Sequence, residues 1–192
     1  MREAPAPGIS APALFADALT RHQAALYAFL LGFVRDAEQA RDLTQDVYCD
    51  AWRAVQRSAP PFSPAAADDD EGRRRWLFHT AYCRAVSHLR HTQRITWQSL
   101  DATSVPQQTP AELGRFEEQV AEAHAIQQAL AELPPEAVAC VLLSVVHGFT
   151  TVEIATIVGI SHDAAKKRLT RAKQLLRTVY LAQNPGQQED RR

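Results

Sequence analysis

Six side chains near the C-terminal end of this chain, His162, Lys166, Lys167, Arg168, Thr170 and Arg171, are of types that recognise nucleic acid. Lysine and arginine neutralise phosphates and donate to the acceptor edge of guanine, while His and Thr add shorter hydrogen-bonding groups. The set contains no carboxylate and no thiol, so the chemistry it suits is binding. Opposite it, Ala165, Leu169, Ala172 and Leu176 recur at i, i+4, i+7 and i+11, the spacing of one buried helix face. An apolar stripe backed by a cationic one suits a helix lying in a DNA major groove. The plain alternative is a solvated basic face, and the residues upstream weigh against it.

Those residues spell a supporting helix and a turn. Thr150 and Glu153 form a T-x-x-E capping box, and Ile154, Ile157 and Val158 supply an apolar face on which Ala155 permits close crossing. Gly159 allows the turn, Ile160 can plug the angle between the helices, and Ser161 is a good N-cap for the basic helix. Capping box, glycine turn, serine cap and basic second helix in this order predict a helix-turn-helix. Lys173 and Arg177 are expected to meet phosphate or solvent.

The formal net charge of −1 hides a segregation. From Gly72 to Leu100 there are six Arg (73, 74, 75, 84, 90 and 94) and no acid, and His162 to Arg177 holds six Lys or Arg against Asp163 alone. The acids lie elsewhere, at Asp36, Glu38, Asp42, Asp46 and Asp50 and in the run Asp68 to Glu71. Two basic patches and a separate acidic face point to contact with both nucleic acid and a basic protein surface. Cys49, Cys83 and Cys140 are odd in number and lack C-x-x-C spacing, which argues against a disulfide framework or structural zinc. No apolar run is long enough to span a bilayer and the start lacks a signal-peptide core, so a reduced, cytoplasmic protein without membrane insertion is expected. A metal site drawn through His79, Cys83, His88 and His91 lacks a local carboxylate, so no metal, cofactor or catalytic residue is expected.

The apolar periods are helical almost throughout, and no strand alternation occurs. Leu14 to Val34 carries Phe15, Leu19, Leu26, Phe29, Leu30 and Phe33 at helical spacings. A helix beginning at Asp36 places Leu43, Val47, Tyr48, Ala51, Trp52 and Val55 on one face, leaving Asp42, Gln45, Asp46, Cys49 and Arg53 outside it. Ser58 to Gly72 reads as a loop with solvated acids, and Arg73 to Arg90 as a helix buried through Leu77, Ala81, Ala85 and Leu89. Gln93 to Gly114 lacks a period and reads as a linker; helix then resumes through Val120, Ile126 and Leu130. Pro135 starts a further helix whose core face is Val138, Leu142 and Val145, ended by Gly148. The expected fold is all-α: a tail (1–12), a first helical domain (13–92), a flexible linker (93–115), a helix-turn-helix domain (116–183) and a C-terminal tail (184–192).

With these residues in place, the chain resembles the extracytoplasmic-function group of the sigma-70 family of bacterial RNA polymerase sigma factors. Asp36 to Arg53, D-A-E-Q-A-R-D-L-T-Q-D-V-Y-C-D-A-W-R, is similar to the family's region 2.2 helix. Trp76 to Arg90, W-L-F-H-T-A-Y-C-R-A-V-S-H-L-R, is similar to the regions that melt and read the minus-10 element. Ala129 to Ala137, A-L-A-E-L-P-P-E-A, runs into the helix-turn-helix as region 4 does.

The resemblance implies an alternative sigma factor that binds core RNA polymerase, through the β′ clamp helices at region 2 and the β flap at region 4, and directs it to promoter DNA. It assigns Asp42, Gln45, Asp46, Cys49 and Arg53 to the polymerase. It assigns Arg73, Arg74, Arg75, Trp76, His79, Thr80, Cys83, Arg84, Ser87 and Arg90 to the melted minus-10 strand, which cationic grooves and stacking would hold. His162, Lys166, Lys167, Arg168, Thr170 and Arg171 go to the minus-35 element. Trp76 equally suits the core, and Arg168 a salt-bridged supporting place. An anti-sigma partner is common in the family. The chain departs from the usual W-L-x-x-I-A-x-N-x-x-x-D, with Thr80 at the Ile, Cys83 at the Asn and Ser87 at the Asp, and Asp163 stands where Gly is frequent. A polymerase-binding helix-turn-helix regulator without initiation activity is the alternative those departures keep open.

Overall fold

The computed structural model describes residues 11–57, 69–98, 126, 129, 130 and 132–183, and among these every regular element is a helix. Residues 1–10 of the expected N-terminal tail, the expected C-terminal tail, most of the acidic loop, residues 99–115 of the linker and Val120 lie outside them, so the domain boundaries drawn there keep the status of expectations.

Helix α1 (Ala11–Val34), α2 (Ala37–Gln56) and α3 (Asp70–Gln98) form one packed group. Asp36 caps α2 as its sequence position demands, its carboxylate accepting from the Gln39 amide. Asp69 does the same for α3, accepting from the Gly72 amide; a Cβ on Gly72 would sit 2.2 Å from that carboxylate, so glycine keeps the cap possible. Helix α3 begins before Arg73 and runs past Arg90 through Gln98, taking in the first residues assigned to the linker. Asp70 is not simply solvated: Arg21 (2.8 Å), Arg73 (3.4 Å) and His22 (3.8 Å) converge on it and tie α1 to the start of α3. Burial works to raise the Asp70 carboxyl, but the hydrogen bond and charge of Arg21 outweigh it and hold Asp70 below its ordinary range.

The second group is α4 (Pro135–Val141), a π-helical turn (Leu142–Val146), α5 (Thr151–Val158) and α6 (His162–Gln183). Pro135 stands in the first turn of α4. The π turn corrects one expectation. Its i→i+5 bond from the His147 amide to the Leu142 carbonyl adds a residue to the helical turn and shifts the face that points inward. Leu142 and Leu143 are buried, while Val145, expected in the core, is 63% exposed. Ile126 likewise lies outside the core.

The two groups share one continuous core. Phe29 of α1 and Phe78 of α3, both fully buried, meet Phe149 and His147 from the segment between α4 and α5. At Gly32 a Cβ would lie 3.1 Å from the Leu142 side chain, so the absent side chain lets the π turn approach α1 closely.

Candidate nucleic-acid interface

The recognition helix is assembled as its sequence predicts. The Thr150 side chain accepts from the Glu153 amide while the Glu153 carboxylate accepts from the Thr150 amide at 2.9 Å, closing the capping box at the head of α5. Gly159 follows at φ 75°, a left-handed conformation that favours glycine, and Ser161 caps α6 by accepting from the Ala164 amide. Ala165, Leu169 and Ala172 are buried with Leu176 packed beside them, so the opposite side of α6 carries the cations.

His162, Lys166, Lys167, Arg168, Thr170 and Arg171 are all exposed on that helix. His162 is hydrogen-bonded through Nε2 to the Thr151 hydroxyl (3.1 Å), and Thr170 donates to the Lys166 carbonyl. Among the described residues, Lys166, Lys167, Arg171, Lys173 and Arg177 form no ion pair. The charge of Arg168, exposed like the others, also acts on Tyr82 of α3 and on Cys140 of α4. Asp163 is exposed in the first turn of α6, where a negative charge suits the helix dipole.

The second cationic group, on α3, is placed very differently. Arg73 is buried and bonded to Asp70, so in this arrangement it is not offered to a phosphate. The Arg74 guanidinium donates to the His147 carbonyl and lies 4.0 Å from the centre of the Phe149 ring. Arg75 reaches Glu153 of α5 at 3.4 Å. His79 donates from Nδ1 to the Ile157 carbonyl at 2.7 Å, which leaves Nε2 to accept from the Cys83 thiol at 3.7 Å. Partial burial of the thiol pushes the Cys83 pKa up, away from the thiolate form, although the residue as a whole is exposed. Arg84 grips Asp50 with two bonds of 2.7 Å and reaches Asp46 at 3.8 Å; the hydrogen bond to Asp50 raises its already high pKa. Trp76 is half-buried against the core, Thr80 donates to the Trp76 carbonyl, and Ser87 and Arg90 are exposed.

On α2, Asp42, Gln45, Asp46, Cys49 and Arg53 are all exposed and fall within one stripe. Trp52, expected inside, is 44% exposed beside Gln45 and Cys49 on the helix surface. Sequence periodicity put it on the buried face because it neighbours Ala51. It also missed the exposed apolar side chains of the second group, Val145 and Val146 on the π turn and Val152 in the first turn of α5. Nothing local could have shown that His147, Phe149 and Glu153 would meet α3. Among the described residues no cluster of His, Cys, Asp and Glu is arranged to hold a metal, and no helix is long and apolar enough to cross a membrane.

Residues 123–176 match the family described as sigma-70, region 4, which here spans the second helical group. The extracytoplasmic-function RNA polymerase sigma factor SigL of Mycobacterium tuberculosis is 31% identical over 158 residues, covering 81% of this chain and 82% of its own. The RNA polymerase sigma factor CarQ of Myxococcus xanthus is 30% identical, covering 86% of this chain and 88% of its own. Among solved structures, the sigma factor RpoE of Bartonella quintana, in complex with the anti-sigma factor NepR, superimposes with a TM-score of 0.66 at 25% identity, covering 86% of this chain and 95% of that one. CnrH, in complex with the cytosolic domain of CnrY, shares the fold with a TM-score of 0.60 at 22% identity, each chain covered to 88%.

Proposed function

This chain belongs to the extracytoplasmic-function group of the sigma-70 family and is an alternative sigma factor, and from that premise we propose how its surfaces divide the work of initiation. The cationic face of α6 reads the minus-35 element of promoter DNA, with Lys166, Lys167 and Arg171 as base or phosphate contacts and His162 and Thr170 beside them. The acidic stripe of α2, from Asp42 through Asp46 to Arg53, docks on a basic surface of core RNA polymerase, the β′ clamp helices. Val145, Val146 and Val152 give the β flap an apolar seat on the second unit. The face of α3 that bears Arg74, Arg75, His79, Thr80, Cys83, Ser87 and Arg90 captures the melted minus-10 strand once it is uncovered. The boundaries 13–92 and 116–183 delimit the two working units. The anti-sigma factor NepR bound to one structural relative supports a partner of that class for this chain.

One observation carries this reading: three separate surfaces, one acidic on α2 and two basic on α3 and α6, lie on a scaffold shared with sigma factors. Complementary charge steers association and suppresses wrong partners. The polymerase assignment is tested by Asp46→Arg in a pull-down with core polymerase. Retention is expected to fall at least tenfold with helical content unchanged; full retention would remove α2 from the interface.

A further inference from the structure

The exposed side of α6 has an internal order. Asp163, Lys167, Thr170 and Gln174 fall at i, i+4, i+7 and i+11, the spacing of the buried stripe of Ala165, Leu169, Ala172 and Leu176. The line starts two residues earlier than that stripe, about 200° round the helix, and so runs along the opposite side. All four of its residues are exposed. It is the part of α6 farthest from the helix's own core, and therefore the part that reaches deepest into a groove. Lys166, Lys173 and Arg177 flank it on one side and Arg171 on the other. At its head stands a carboxylate, the only acid between His162 and Arg177. A charge of that sign repels phosphate, so it costs affinity for every sequence unless it meets a base that favours it.

The fold leaves this carboxylate free. The cap of α6 is Ser161, which accepts from the Ala164 amide at 3.2 Å, so the Asp163 side chain is not needed there. Lys166 and Lys167 stand three and four residues on, the spacing at which helical ion pairs form. Among the described residues Asp163 nevertheless pairs with neither. The backbone that carries it is held from both sides of the turn. Ser161 closes the first turn of α6, and His162 is tied through Nε2 to the Thr151 hydroxyl of α5 at 3.1 Å. A short side chain on a fixed first turn loses little freedom when it meets a ligand.

We propose that Asp163 is a specificity-determining residue of the minus-35 contact, accepting a hydrogen bond from the N4 amine of a cytosine in the major groove. This rests on the reading of α6 as the minus-35 helix. The N-terminal residues of a recognition helix are those that meet base edges, and Asp163 lies in the first turn. The four bases differ there in what they offer a carboxylate. Cytosine presents a donor alone, adenine sets its N7 acceptor beside its amine, and guanine and thymine present acceptors that a negative charge repels. The next residue of the line, Lys167, stands about 6 Å further along the helix axis and donates to guanine. Base pairs stack about 3.4 Å apart, so the cytosine and the guanine are one or two base pairs from each other. Asp163 thus lowers affinity in general and restores it at sites that carry the cytosine.

The test presents a library of random-sequence duplex DNA to holoenzyme assembled from core polymerase and the full chain, as wild type, Asp163→Ala, Asp163→Asn and Lys167→Ala. Sequencing the retained duplexes gives the base preference at each position of the upstream element. Wild type should show the cytosine and the nearby guanine. Asp163→Ala should lose the cytosine preference, a change of roughly 5- to 150-fold at that position, while total retention of DNA rises. Asp163→Asn should replace the cytosine by adenine, whose N6 and N7 suit an amide. Lys167→Ala should relax the guanine and leave the cytosine. If Asp163→Ala retains the same sequences as wild type, Asp163 serves the helix dipole alone, and the proposal falls while the minus-35 reading stands. A position that responds to Asp163 but holds no cytosine in wild type overturns the base assignment. Wild-type holoenzyme that enriches no upstream element overturns the minus-35 reading and the proposal with it.

Discussion

Two helices of this molecule carry nearly the same basic side chains and use them in opposite ways. On α6, among the described residues, Lys166, Lys167 and Arg171 form no ion pair and stand exposed over a buried stripe. On α3, Arg73, Arg74, Arg75 and Arg84 are each held by a carboxylate, a carbonyl or a ring. The first arrangement is available for a ligand at once, at no cost beyond ordering flexible side chains. The second has its cations already engaged, so any phosphate would have to displace those partners. A count of basic residues would rate the two surfaces alike; only their partners separate an open cationic face from an occupied one.

The contrast breaks most completely at Phe78, which is fully buried and touches both groups through Phe29, His147 and Phe149. Phe78→Ala should cost about 3–5 kcal/mol, measured by urea unfolding. A loss below about 1 kcal/mol would mean the shared core is not there in solution. Next in size is the α6 face. Lys166→Ala or Arg171→Ala should each lose roughly 1–3 kcal/mol of minus-35 discrimination, about 5- to 150-fold, in filter binding of holoenzyme to promoter variants. Binding to core polymerase should be unchanged, and its loss would assign the helix another task. If about four phosphates are neutralised, log affinity should fall against log salt with a slope of roughly −3 to −4. Smallest is Asp50→Asn, which frees Arg84 from its two bonds. The pair is partly exposed, so stability should change by about 1 kcal/mol or less. A larger loss in thermal unfolding would make the pair a structural brace between α2 and α3.

Sequence pattern disclosed whatever is encoded locally. The capping box of Thr150 and Glu153, the left-handed Gly159, the Ser161 cap and the buried stripe of α6 are each set by residues within a turn of one another. The same holds for Asp36 at the head of α2 and Pro135 in the first turn of α4. Val145 was misplaced because a π turn changes the helical period, and no residue type announces an i→i+5 bond. Trp52 was misplaced because its neighbours on α2 are apolar, while its own exposure depends on what α1 and α3 leave uncovered. The site was legible as a set of residues and illegible as an arrangement. That Arg75 meets Glu153 and His79 the Ile157 carbonyl depends on contacts 78 positions apart in the chain, which period and spacing do not carry.

Run-off transcription from a library of genomic fragments, with core polymerase in the presence and absence of this protein, tests the central claim most directly. The account expects transcripts from fixed start sites only when the protein is added, with two shared sequence elements upstream of them. Confirmed binding to core polymerase with no new start site would contradict it, and would leave a polymerase-binding regulator that cannot open a promoter.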